Sequence, residues 1–175
     1  VTSDPDTVAM ADRVVLPGVG AFADCKAGLF AVDGMVDALT AAVIDRRVPF
    51  LGICVGMQLM AERGLEFGVH QGLGWMAGDV RALEPGDRDL KIPHMGWNTL
   101  TTVIEHPVFN GVNVGDYFYF VHSFAAPVSD YTAAACEYGS AFSAAIVRDN
   151  FIGCQFHPER SGANGSKIIK NFLEM

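Results

Sequence analysis

Gly52-Ile53-Cys54-Val55-Gly56 has the form of a nucleophile elbow, G-x-S-x-G, with Cys in the place of Ser. An apolar run, Val48–Ile53, precedes it, and a helix-forming stretch, Val55–Arg63, follows. In that setting the glycines permit a tight turn and a close approach of neighbouring backbone. The sulfur then stands at the carboxyl end of a strand, and the N–H groups of the next helix point at it, which favours thiolate. The N–H of Val55 can donate to an oxyanion. The competing reading is a buried, inert cysteine, the usual fate of a lone Cys.

A second group lies about a hundred residues on, in Phe156-His157-Pro158-Glu159. It follows another apolar run, Phe151–Phe156. In extended chain residues i and i+2 point the same way, so His157 and Glu159 share a face. Pro158 keeps His157 out of helix. A carboxylate beside an imidazole fixes its tautomer and stabilises its protonated form. Without the Cys elbow, a surface His-Glu pair in a turn would be the better reading. Pro17-Gly18-Val19-Gly20 ends a third apolar run, and an amide of Val19 or Gly20 could serve as a second oxyanion donor. The alternative there is an ordinary glycine turn into a helix. It is not a phosphate-binding P-loop, because no Gly-Lys-Ser/Thr follows. His70, His94, His106, His122 and His157 show no H-E-x-x-H or Cys/His ligand spacing, so no metal and no other cofactor is expected.

The elements that must position these groups follow from the apolar pattern. Arg13–Leu16 and Val48–Ile53 read as buried strands. The stretch from Ala21 to Arg47 reads as helix with a break near Gly34, and Val55–Arg63 as a further helix. Strand and helix in alternation imply a parallel sheet with helices on its faces. In the second half Val80–Leu83, Asn98–Ile104, Tyr117–Val121, Thr132–Tyr138, Ala144–Arg148 and Phe151–Phe156 are short β candidates. Asp149-Asn150 reads as a hairpin turn and Ser166–Leu173 as a closing helix. The fold class is α/β with additional antiparallel strands.

Bulk properties narrow the functions. The chain has 175 residues, half of them hydrophobic, which suits one domain with a sizeable core. A net charge of −8 argues against nucleic-acid binding, and Phe118, Phe120 and Phe124 read as core and rim, not as a base-stacking platform. Cys25, Cys54, Cys136 and Cys154 have no C-x-x-C spacing, and no secretory signal is visible, which points to a reducing compartment. The longest apolar run, about Val48 to Met60, is too short for a bilayer, which needs roughly 20 residues. A soluble cytoplasmic protein without a membrane partner is expected.

Over its whole length the chain resembles the class I (triad) glutamine amidotransferases. Gly52-Ile53-Cys54-Val55-Gly56-Met57-Gln58 is similar to their nucleophile motif and Phe156-His157-Pro158-Glu159 to their His-Pro-Glu motif. Pro93-His94-Met95-Gly96-Trp97-Asn98, Tyr119-Phe120-Val121-His122-Ser123-Phe124, Pro17–Phe22 and Gln155–Ser161 resemble the glutaminase subunits of bacterial imidazole glycerol phosphate synthases. The resemblance implies a flavodoxin-like, mostly parallel sheet flanked by helices. It implies a Cys54-His157-Glu159 triad, an oxyanion hole from Val55 and the Val19-Gly20 loop, and glutamine held among Gly20, Gln58, Glu66, Ser123 and Phe124. It also implies a heterodimer with a (β/α)8-barrel cyclase subunit that receives the ammonia and forms imidazole glycerol phosphate and aminoimidazole carboxamide ribotide for histidine synthesis. Met95, Trp97, Tyr119 and Arg160 match interface positions. Thr2-Ser3-Asp4-Pro5 matches a point roughly thirty residues into family members, so one amidotransferase domain over residues 1–175, lacking a first strand and helix, is expected. Two other readings compete: another α/β cysteine hydrolase, and a non-catalytic partner subunit.

Overall fold

The computed structural model describes residues 1–86 and 89–175. A short helix, α1 (Pro5–Ala9), is capped by the Asp4 carboxylate, which accepts the Asp6 N–H. The first strand, β1 (Val14–Gly18), leads into α2 (Phe22–Phe30) and α3 (Met35–Thr40). Gly34 divides the two helices with a left-handed φ of 74°, the break expected near that glycine. A π-helical turn, Ala41–Asp45, ends this stretch. The next strand, β2 (Phe50–Cys54), turns into α4 (Val55–Gln58).

The expected helix over Val55–Arg63 stops at Gln58, and β3 (Ala61–Gly64) takes up the chain. The cause is tertiary. The carbonyls of Leu59 and Met60 accept the N–H groups of Leu73 and Met76 at 2.7 and 3.0 Å, so a neighbouring segment captures the backbone that a longer helix would use. Gly72 makes this approach possible, since a Cβ there would lie 2.1 Å from the Ala61 carbonyl oxygen. Next come β4 (His70–Gln71) and β5 (Met76–Ala82), which both pair with β3.

The expected strand Asn98–Ile104 is two strands in different sheets. One is β6 (His94–Thr99) and the other β7 (Thr102–Val103). The chain changes sheets at Leu100, whose carbonyl accepts the Gly115 N–H while the Thr101 N–H is given to Ala135. The remaining strands are β8 (Tyr117–His122), β9 (Phe124–Ala125), β10 (Thr132–Tyr138), β11 (Ser140–Arg148) and β12 (Phe151–Cys154), followed by α5 (Gly162–Glu174).

The main sheet has the order β1-β2-β12-β11-β10-β7. β1, β2 and β12 run parallel; β11, β10 and β7 continue antiparallel, so the sheet is mixed. Asp149 and Asn150 make the turn between β11 and β12, with Asp149 at φ 52°. Strands β4, β3, β5 and β9 form a second sheet, and β6 pairs with β8 in a separate two-stranded ribbon. Both faces of β2 and β12 are covered. Phe50, Phe151, Leu39, Val43, Met57 and Met60 pack on one side; Leu51, Ile152, Phe118, Phe156, Ile168 and Phe172 pack on the other. Neighbouring residues on a strand face opposite ways, so a strand buried on both faces must be apolar throughout. That is why Val48–Ile53 and Phe151–Phe156 read as largely hydrophobic runs, with Gln155 the polar exception. Phe118 and Phe120 are fully buried, as expected of core residues.

Candidate active site

Three strands end together at one edge of the main sheet. Gly18 at the end of β1 lies in register with Cys54 at the end of β2, and Cys154 at the end of β12 with Ile53. Cys54 has φ 53° and ψ −112°, a strained conformation for a non-glycine residue. Its neighbours make the turn possible by lacking side chains. A Cβ on Gly56 would lie 1.8 Å from the Leu16 carbonyl oxygen, and one on Gly52 would lie 2.7 Å from the Met57 nitrogen. The elbow thus presses directly on the backbone of β1.

Cys54 and His157 line one cavity of about 280 Å³, room for a ligand of amino-acid size. His157 Nδ1 lies 2.7 Å from Glu159 Oε1. A carboxylate oxygen only accepts, so Nδ1 carries a proton. His157 Nε2 is buried and has no hydrogen-bond partner among the described residues. An unpartnered buried acceptor in the cavity that Cys54 also lines is a costly arrangement in a folded protein and suits a group waiting for a proton. The backbone of His157 is fixed independently: its N–H is given to the Tyr119 carbonyl, and its own carbonyl accepts the Ser161 hydroxyl at 2.6 Å.

Burial pushes the Cys54 thiol up to about 11, although the Val55 N–H pulls in the other direction. The expected thiolate is therefore not the resting form. With only four residues in α4, the field of its amino end is weak against the desolvation of a thiol buried in this cavity.

Val19, Gly20, Val55, Gln58, Glu66, Ser123 and Phe124 line the same cavity, as do Pro93, Val121 and His122. Sequence reasoning had grouped the first seven. Glu66 Oε2 accepts the Phe22 N–H at 2.7 Å, which holds the carboxylate at the start of α2. The Val19 carbonyl accepts the Cys25 thiol at 3.3 Å, and Gly20 has φ 110°. Gln58 Nε2 donates to the Phe124 carbonyl and to Gln155 Oε1, both at 3.0 Å.

Met95, Trp97, Tyr119 and Arg160 come together away from the cavity. Met95 and Trp97 are exposed on β6, at 62% and 56%. Trp97 pairs with Tyr119 across the ribbon, with ring centroids 6.0 Å apart. The Arg160 guanidinium lies 5.5 Å from the Tyr119 ring centroid. Alternation on β6 turns His94 inward as Met95 and Trp97 turn outward.

Gln155 was not anticipated. It is fully buried, and its Nε2 donates to Cys54 Sγ at 3.7 Å. The available signal was a polar residue inside the apolar run Phe151–Phe156. His94 and His122, 3.0 Å apart, were also not foreseen as a buried pair.

The family model described as "Glutamine amidotransferase class-I" matches residues 2–175. Imidazole glycerol phosphate synthase subunit HisH of Brucella suis is 54% identical, over 99% of this chain and 83% of that protein. The subunits of the same name from Caulobacter vibrioides and Rhodopseudomonas palustris are 54% and 55% identical, each over 99% of this chain and 82% and 83% of theirs. A crystal structure of a glutamine amidotransferase shares the fold with a TM-score of 0.71 at 14% identity, over 99% of this chain and 83% of its own. The structure of PurLQS from Thermotoga maritima does so with a TM-score of 0.65 at 21% identity, over 93% of this chain and 79% of the matched one. The matched span and the level of identity agree: the chain belongs to the class I glutamine amidotransferase family, in its HisH branch.

Proposed function

We propose that this chain hydrolyses glutamine to glutamate and ammonia as the glutaminase subunit of an imidazole glycerol phosphate synthase, in histidine biosynthesis. The observation that carries the reading is a cysteine on a strained elbow sharing one cavity with a His-Glu pair whose Nε2 is unoccupied.

Cys54 Sγ attacks the side-chain amide carbon of glutamine as its proton passes to His157 Nε2. The tetrahedral oxyanion is held by the Val55 N–H and by an amide of Val19 or Gly20. His157 returns the proton to the departing nitrogen, the C–N bond breaks, and ammonia leaves a thioester on Cys54. Water then adds to the thioester, giving a proton to His157. Glutamate departs as that proton returns to sulfur. Glu159 orients the imidazole and stabilises it when charged. Glu66 suits the substrate ammonium, and Gln58, Ser123, Phe124 and Gly20 surround the rest of the ligand.

The partner is a (β/α)8-barrel cyclase subunit that docks on Met95, Trp97, Tyr119 and Arg160 as a heterodimer. It takes ammonia without release to water, where protonation would end its nucleophilicity. The Val19-Gly20 loop is the switch: partner binding turns a backbone N–H inward and completes the oxyanion hole. Four unpaired cysteines fit a cytoplasmic setting. The test is glutamine hydrolysis with and without cyclase and an acceptor analogue. Turnover should rise by about 10² to 10³ on assembly, the value of one oxyanion donor. Equal rates would remove the switch, and no glutamate under either condition would reject the function.

A further inference from the structure

Gln155 donates to the nucleophile's sulfur, and its neighbours dictate that it must. An amide side chain can offer either its oxygen or its nitrogen at a given place, so the partners decide. The Phe124 carbonyl can only accept. It takes one proton from Gln58 Nε2 at 3.0 Å, and the second Nε2 proton goes to Gln155 Oε1, also at 3.0 Å. With its oxygen engaged in this way, Gln155 turns Nε2–H toward Cys54 Sγ, 3.7 Å away.

The same carbonyl receives His122 Nδ1 at 2.9 Å, so Nδ1 carries the proton. Neutral His122 then accepts at Nε2, and His94 Nδ1, at 3.0 Å, must donate. His94 in turn accepts at Nε2 from Asn98 Nδ2, at 3.2 Å. The far end fixes the same direction independently. Asn98 Nδ2 also donates to the Glu137 carbonyl at 3.1 Å, and Asn98 Oδ1 accepts the Thr99 N–H at 2.8 Å. Both histidines are buried, and burial lowers His94 to about 4 and His122 to about 3, so both are neutral near pH 7. Every donor and acceptor along this path is matched, with one polarity from Asn98 to the Phe124 carbonyl.

We propose that Gln155 is a catalytic donor to the Cys54 sulfur, and that Gln58, anchored on the Phe124 carbonyl, is the positioning residue that fixes the direction of the Gln155 amide. The proposal deepens the functional reading and rests on Cys54 being the nucleophile. When the Cys54 proton passes to His157, negative charge gathers on sulfur in a buried site. An N–H already aimed at it strengthens as that charge forms, while Gln155 keeps both of its protons. A neutral amide also leaves the His157-thiol proton balance free of another titrating charge.

The experiment reads the sulfur and the Gln155 amide separately. Gln155→Met keeps the length and removes the donor. The rate of Cys54 alkylation by iodoacetamide should fall at least about tenfold at every pH below the thiol pKa, and kcat should fall about 10- to 100-fold with KM within about twofold. Unchanged alkylation and kcat in a folded Gln155→Met would reduce Gln155 to packing and overturn the proposal. Side-chain amide ¹H–¹⁵N spectra of the unmodified chain, which need no folded variant, should show the Gln155 amide shifting as Cys54 is deprotonated at raised pH; an amide that does not move would overturn the proposal as well. Failure of the functional reading has its own signature: Cys54→Ala would retain glutamine hydrolysis.

Discussion

Cys54 combines strain, burial and a protonated resting state. Cys54→Ser should abolish turnover, by about 10³-fold or more, while the circular dichroism spectrum stays native, because the proposed mechanism runs through a sulfur nucleophile. His157→Ala should lose nearly all activity. Glu159→Gln should keep part of it, since Glu159 acts through His157 and its side chain is about half exposed. Steady-state kinetics on the three variants separate these outcomes, and undiminished rates for His157→Ala would reject the triad. The raised thiol gives a further check. In the free chain the rate of alkylation of Cys54 should climb about tenfold per pH unit toward about 11, and a plateau near pH 7 would show a resting thiolate. Gly56 sets the tolerance of the turn. Gly56→Ala places a methyl group 1.8 Å from the Leu16 carbonyl oxygen, so it should cost about 2 kcal/mol or more in urea unfolding.

The elements that sequence reasoning recovered best are those whose pattern has one physical cause. β2 and β12 are buried on both faces and therefore apolar throughout, and β10 was anticipated over Thr132–Tyr138, its observed span. The elbow and the His-Pro-Glu segment were legible for the same reason, since each sits at the end of such a run. The misses arose where distant chain overrode local preference. Leu59 and Met60 carry helix-favouring side chains, yet their carbonyls are held by Leu73 and Met76. The strand change at Leu100 leaves no mark in a β-prone sequence. The His94–His122 contact across the β6–β8 ribbon needs register, which composition does not supply. That pair predicts a pH response. Folded His94 and His122 have pKa values below the ordinary 6.5, so unfolded chain binds their protons first as pH falls. Their stability contribution is complete above about 6.5 and is lost below it, by about 1.4 kcal/mol per pH unit for each histidine, until His94 protonates near 4. Urea midpoints between pH 7 and 4.5 measure this loss, and His122→Gln should flatten the slope.

Across the molecule, the parallel strands hold Cys54, and the β6–β8 ribbon offers an exposed aromatic surface away from its cavity. Trp97→Ala should weaken association with a cyclase by about thirtyfold in a calorimetric titration, because large aromatics at interface centres commonly carry about 2 kcal/mol. An unchanged affinity would move the docking face elsewhere. The sheet order β1-β2-β12-β11 has a consequence for synthesis on the ribosome. Of the described strands β12 is made last, yet it belongs between β2 and β11, and it carries His157 into place beside a cysteine translated about a hundred residues earlier. Until that strand is inserted, the two halves of the sheet have no common edge. On the proposed triad Cys54 then lacks its base, and a nascent chain should hydrolyse no glutamine.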